Sequence, residues 1–138
     1  MLDGGVMSEV RSGDVLPAGK LPATDLQEAL ARLPPPHPRL LVGPRVGEDA
    51  AVIEMGDRLL VVATDPVTFA TDRIGWYAVH VNANDIAVMG ARPLWFLAAV
   101  LMPGCTSCAA IHAVIDELGT TCQALCITLA GGHTEITP

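Results

Sequence analysis

Lysine is nearly missing from this chain: Lys20 stands alone, and seven arginines are scattered singly among fifteen aspartates and glutamates. A nucleic-acid footprint needs clustered basic residues, so this scarcity, with a net charge of −7, argues against a nucleic-acid partner. Long apolar runs are missing too. The longest, Leu94–Met102, has nine residues and is too short to span a bilayer. The first residues, M-L-D-G-G-V-M-S-E-V, lack the basic start and apolar core of a secretory signal. The expected setting is therefore the cytoplasm, with no membrane partner. Aromatics are few, and Trp76, Tyr77, Trp95 and Phe96 are expected to cluster around one helix and the strand after it.

With 138 residues there is enough chain for one domain with a real core. Cys105 and Cys108 form a C-x-x-C and Cys122 and Cys126 a C-x-x-x-C, a pattern that superficially suggests zinc. The segment between them, Ser107–Thr120, carries Ile111, Val114, Ile115 and Leu118 at helical spacing, with Gly119 as its expected cap. Such a helix holds its ends about 20 Å apart. The two pairs then cannot meet on one ion, so neither zinc nor an obligatory disulfide is expected.

The stretch Ile74–Pro93 reads as a helix carrying a misplaced polar cluster. Trp76, Val79, Ala83, Ile86 and Gly90 follow the spacing of a buried face, and Gly90 with Pro93 supplies the stop. Asn82 and Asp85 lie one turn apart on a common face, with Asn84 beside them. No Lys or Arg stands between Arg73 and Arg92 to neutralise Asp85. A carboxylate there needs water, a cation or a hydrogen-bond network.

Earlier in the chain, residues 1–20 have no periodicity and read as a flexible segment. A short helix follows at Ala23–Leu33, with Thr24 as its expected N-cap, and the run Pro34–Pro38 ends it. Arg39–Val42 reads as a strand. Glu48 and Asp49 then precede a second strand, Ala50–Met55; Gly56-Asp57 turns the chain, and Arg58–Thr64 returns as a third strand before Asp65. A hairpin closing at Met55–Arg58 brings Asp49 and Asp65 to one end of the sheet, an arrangement that hard divalent cations favour, though two solvated loop acids would look the same. Leu94–Met102 shows no polar alternation and reads as a strand covered on both faces. Ala124–Ala130 is the last strand, and Gly131-Gly132 is expected to turn the chain at its end.

The order β-β-β-α-β-α-β gives an α+β fold, a mixed and mostly antiparallel sheet with helices on one face. Nothing in the chain is left to cover the other face. A partner subunit or a missing domain is the natural cover, and a homodimer burying that face at a two-fold interface is the expected remedy.

Four segments carry a resemblance. Gly47-Glu48-Asp49-Ala50-Ala51-Val52, Thr64-Asp65, Val81–Ala91 (V-N-A-N-D-I-A-V-M-G-A) and Gly131-Gly132-His133-Thr134 are similar, in order, to motifs of the aminoimidazole ribonucleotide synthase superfamily. Those motifs lie in its N-terminal ATP-binding domain. The group includes the hydrogenase-maturation carbamoyl dehydratase, thiamine monophosphate kinase and selenophosphate synthetase. The resemblance covers residues 21–138 and implies a chain without the family's C-terminal domain. It implies ATP held with Mg²⁺, and a phosphoryl group that is transferred to, or activates, a substrate oxygen. On it, Asp49, Asp65 and Asp85 are metal ligands, joined by Glu48 and Glu135. Asn82, Asn84, Gly131, Gly132 and Thr134 contact the nucleotide, and Lys20 is a catalytic lysine in the N-terminal segment. The branch resembled is the hydrogenase-maturation, synthase-related one. The alternatives are a thiamine monophosphate kinase-like phosphotransferase and a non-catalytic nucleotide-binding or dimerisation module.

Two departures from the family pattern bear on the metal. Glu48 replaces its first aspartate, keeping the charge on a longer arm. His133 replaces an acidic residue, and neutral imidazole suits Mg²⁺ poorly. Glu135, two residues on, faces the same side of an extended segment and can restore the carboxylate.

Overall fold

A computed structural model describes residues 15–68, 70 and 72–138. The chain divides into two compact units, one ending at Pro35 and the other running from Pro36 to Pro138. Most of the flexible segment expected over residues 1–20 lies outside the described residues; Val15–Lys20 are exposed and irregular. The first unit contributes α1 (Ala23–Leu30), which starts after Pro22 and half-buries Leu26 and Leu30. Pro22 occupies the cap position and Thr24 lies inside the helix, so the expected threonine cap is not used.

The second unit opens with three antiparallel strands, β1 (Leu40–Val42), β2 (Ala51–Met55) and β3 (Arg58–Val62), in that order across the sheet. The hairpin closes at Met55↔Arg58 as expected, and its last pair is Ala51↔Val62. Then come α2 (Ile74–Val88), β4 (Trp95–Pro103), α3 (Cys108–Ala124) and β5 (Thr128–Thr137). β4 and β5 pair in parallel, with α3 as the crossover between them. The architecture is therefore the expected α+β. It is divided into an antiparallel three-stranded sheet and a parallel two-stranded one rather than joined in a single sheet.

The core forms where α2 and α3 meet β4 and β5. Val79, Val100, Leu118, Cys122 and Ile127 are buried together, with Phe96, Ala98, Met102, Val114 and Leu129 packed around them. Burial pushes the Cys122 thiol up. β4 alternates after all. Phe96, Ala98, Val100 and Met102 face the helices, while Trp95, Leu97 and Leu101 are 69, 71 and 61 % exposed on the other side. The all-apolar sequence of β4 thus reflects a second face that no described element covers. The expected aromatic cluster is divided by the same alternation: Trp76 meets Tyr77 edge-on at 5.0 Å, while Trp95 turns outward and Phe96 inward.

Both long helices end in the same hydrogen-bonded pattern. After α2, the Gly90 N–H donates to the Ala87 carbonyl and Ala91 N–H to Ile86, with Gly90 at φ 76°. After α3, Cys126 N–H donates to Gln123 and Ile127 N–H to Cys122, with Cys126 at φ 56°. The apolar contact that closes this motif is Ile127 on Cys122, both in the core. Gly119, the expected cap, lies inside α3, and Thr120 folds its hydroxyl back onto the Asp116 and Glu117 carbonyls. A Cβ at the left-handed position costs about 1–2 kcal/mol, partly offset by the entropy glycine loses on folding. Cys126→Gly is accordingly expected to stabilise the chain by about 0.5–1 kcal/mol in urea titration.

α2 has no side-chain cap of its own, because Arg73 occupies that position at φ 52° with its guanidinium 4.4 Å from the Trp76 ring centre. The cap comes from α3. Gly75 donates its N–H to Glu117 Oε2 at 2.8 Å, and a Cβ on Gly75 would stand 3.0 Å from that oxygen and from the Leu118 nitrogen. Removing the acceptor in Glu117→Ala is expected to cost about 1–2 kcal/mol by denaturant unfolding, and Glu117→Gln less, because its amide oxygen still accepts.

Candidate functional site

The acidic motifs occupy one end of the β2–β3 hairpin. Asp49 lies two residues before the last paired position on β2, and Asp65 three residues beyond it on β3. Both side chains are exposed. Gly47, at φ 89°, opens the turn that leads into β2. Glu48 is half-buried and is held by Arg45, whose Nε donates to Glu48 Oε1 at 3.1 Å and whose Nη2 meets the same oxygen.

Asn82 joins the hairpin end to α2. Its Oδ1 accepts the Asp65 N–H at 2.7 Å, and its Nδ2 donates to the Asp65 carbonyl at 3.0 Å and to the Ala78 carbonyl at 2.9 Å. Asp85 is half-buried one turn further along the same helix face, and Asn84 is exposed. Among the described residues no three Asp, Glu, His or Cys side chains come together closely enough to enclose an ion. Asp49 and Asp65 lie beyond the last pair of the hairpin, Asn82 ties Asp65 to α2, and Asp85 follows Asn82 on that helix; the three form no closed ligand cage.

The Gly-Gly motif lies elsewhere, within β5 and not at a turn beyond it. Phe96 pairs with Leu129 but Leu97 pairs with Gly131, so Ala130 is the extra residue of a bulge. Gly131 and Gly132 have φ of 145° and 151°, and a Cβ on Gly132 would sit 1.9 Å from the Ala98 carbonyl oxygen. The close approach that demands glycine here is to the backbone of β4. Thr134 pairs with Val100 on the helix-facing side and lines an open cleft of about 340 Å³ together with Ala98, Leu118 and Gly132. None of Asp49, Asp65 and Asp85 lines it.

His133 and Glu135 pair with Ala99 and Leu101, which puts them on the open apolar face with Leu97. They meet as expected for neighbours on one side of a strand, Nε2 to Oε2 at 3.3 Å. Lys20 belongs to the first unit and is exposed. All four cysteines are free thiols; Cys108 opens α3 and Cys122 lies near its end, so the helix holds the two pairs apart. No helix among the described residues is long and apolar enough to cross a membrane.

Sequence reasoning missed the three contacts that organise this region: Asn82 on Asp65, Glu117 on Gly75, and Arg45 on Glu48. The first had a signal, a mid-helix asparagine following a Thr-Asp strand end. The second spans 42 residues and had none.

Residues 47–138 match the family model for the AIR synthase related protein, N-terminal domain. The chain is similar to the selenide, water dikinase of Rhizobium meliloti, 32 % identical over 121 residues covering 83 % of this chain and 35 % of that protein. It is also similar to the carbamoyl dehydratase HypE of Rhodobacter capsulatus, 33 % identical over 64 % of this chain and 27 % of the relative. A third relative is the thiamine-monophosphate kinase of Archaeoglobus fulgidus, 35 % identical over 44 % of this chain and 23 % of that protein. In three dimensions the chain resembles AaThiL complexed with AMPPCP and TMP, with a TM-score of 0.60 and 21 % identity over 67 % of this chain and 33 % of that one. The thiamine monophosphate kinase of Aquifex aeolicus gives a TM-score of 0.58 at 18 % identity, over 67 % of this chain and 34 % of the other. These likenesses establish the fold, and the chain spans about a quarter to a third of the length of the relatives it matches. The chain belongs to the AIR synthase related family, and residues 47–138 are its N-terminal domain.

Proposed function

We propose that this chain is the Mg–ATP-binding, self-associating part of an ATP-dependent enzyme that phosphorylates or activates a substrate. The relatives carry three different names, two kinases and a dehydratase, at nearly equal identity. What they share under this reading is the use of ATP, and AaThiL holds AMPPCP, an ATP analogue. The single observation that carries the reading is the joining of the hairpin end to the polar face of α2 at Asp65.

The donor set suits the metal. Mg²⁺ keeps several of its waters and is bound through one or two carboxylates plus substrate phosphates, rather than by an all-protein cage. Exposed Asp49 and Asp65 and half-buried Asp85, with no closed cage among the described residues, are in keeping with a cation that arrives together with its nucleotide. Asp49, Asp65 and Asp85 would hold it, and it would neutralise charge on the phosphates. Glu48 is already engaged by Arg45 and Glu135 stands on the open sheet face, so both are second choices. Gly131, Gly132 and Thr134 border the nucleotide only if it reaches the cleft under α3. Lys20 is retained as a candidate on its sequence position alone.

Self-association rests on Trp95, Leu97 and Leu101, an apolar row of a kind that soluble monomers rarely expose. The hydrogenase-maturation-type reading ranks ahead of a thiamine monophosphate kinase because Thr64–Thr68 lacks the acidic and aromatic continuation associated with that kinase. Titration of the chain with ATP in the presence and absence of Mg²⁺ tests the proposal. Metal-dependent binding is expected, and nucleotide affinity that is absent or indifferent to Mg²⁺ would refute it.

A further inference from the structure

Asn82 offers more than a contact, because its hydrogen-bonding capacity is nearly exhausted. A carboxamide has two N–H donors and an oxygen with two lone pairs. Both donors are committed, to the Asp65 and Ala78 carbonyls, and one lone pair takes the Asp65 N–H. A phosphate oxygen can only accept, so Asn82 has nothing left to give it while these bonds stand. We infer that Asn82 is a positioning residue that fixes the Asp65 backbone against α2 and thereby sets the Mg²⁺ preference of the site, and that it does not itself touch the nucleotide.

The Ala78 bond fixes the amide on its own helix, and the two Asp65 bonds grip both polar groups of one residue, as a neighbouring strand would. Asp65 lies beyond the last β2–β3 pair, so the hairpin ladder does not set its backbone. Asp85, three residues after Asn82, is carried on the same rigid segment. The distance between the Asp65 and Asp85 backbones is then a property of one side chain. Mg²⁺ demands near-ideal octahedral geometry, whereas Ca²⁺ accepts irregular and variable coordination. Loosening the grip should therefore penalise Mg²⁺ selectively.

This inference rests on the proposed Mg–ATP site, and its test separates the two. Asn82→Asp keeps the size but turns the donor into a carboxylate oxygen that repels both carbonyls. If Asn82 were a metal ligand, the added charge would preserve or strengthen binding. As a positioning residue, its loss should weaken ATP binding in Mg²⁺ by about tenfold or more, in the range seen for groups that orient ligands. The loss in Ca²⁺ should be distinctly smaller. Asn82→Ala, which exposes the Asp65 groups to water, should behave alike. Should neither variant fold, the unaltered chain still decides: the Asn82 side-chain amide protons stay hydrogen-bonded and protected from exchange with water when Mg–ATP is added. Loss of that protection, or equal losses in Mg²⁺ and Ca²⁺, overturns the positioning role while the nucleotide site stands. No Mg–ATP affinity in the unaltered chain removes both.

Discussion

Leu97→Glu should abolish the proposed self-association and leave a folded 14.4 kDa monomer. Leu97 is 71 % exposed in the single chain and stands between Trp95 and Leu101 on the face of β4 away from the helices. In a two-fold dimer the same position occurs twice, so each assembly would bury two unpaired carboxylates. One buried, unpaired charge typically costs about 3–5 kcal/mol, and the dimer dissociation constant should therefore rise by at least about 100-fold. Sedimentation at micromolar concentration reads this directly. The neighbouring residue supplies the contrast. Ala98 faces the core cluster, so Ala98→Glu should unfold the chain rather than merely split it. Leaving Leu97→Glu as fully associated as the unaltered chain would place the contact elsewhere.

Asp85→Asn should weaken Mg–ATP binding by about tenfold or more, because the proposed multidentate cation site would lose a full charge with little change in shape. Asp49→Asn and Asp65→Asn should act in the same direction. The control is Glu48→Gln. Its carboxylate is held by Arg45, so this change should cost the nucleotide site far less than the aspartate changes do. Calorimetry across the four variants gives a ranking, and an unchanged affinity in Asp85→Asn would return that residue to an ordinary solvated helix face.

Much of the fold was legible because local rules and tertiary packing agree over most of the chain. The hairpin register followed from Gly56-Asp57 and the α2 stop from Gly90, where the residue type and its backbone conformation point the same way. Legibility failed where they diverge. Cys126 takes a left-handed conformation that residue type does not announce, so α3 runs on past Gly119 to Ala124. Gly131-Gly132 looked like a turn, yet serves a bulge whose need for glycine comes from a carbonyl on another strand. The site was half legible. Asp85 stood out because no lysine or arginine lies between Arg73 and Arg92, but whether Asn82 spends its donors on ligand or on backbone is a three-dimensional fact that no spacing encodes.

The parallel β4–β5 ladder carries a liability of its own. Among the described residues each strand pairs along one edge only, leaving the outer margin of β4 with unanswered N–H and C=O groups. From Trp95 to Met102 that margin holds no lysine, no other charge and no proline, the usual guards against a stranger's strand. Edge-to-edge growth would therefore compete with the proposed face-to-face pairing, and a variant that blocks the face should, on warming, enrich in cross-β aggregates.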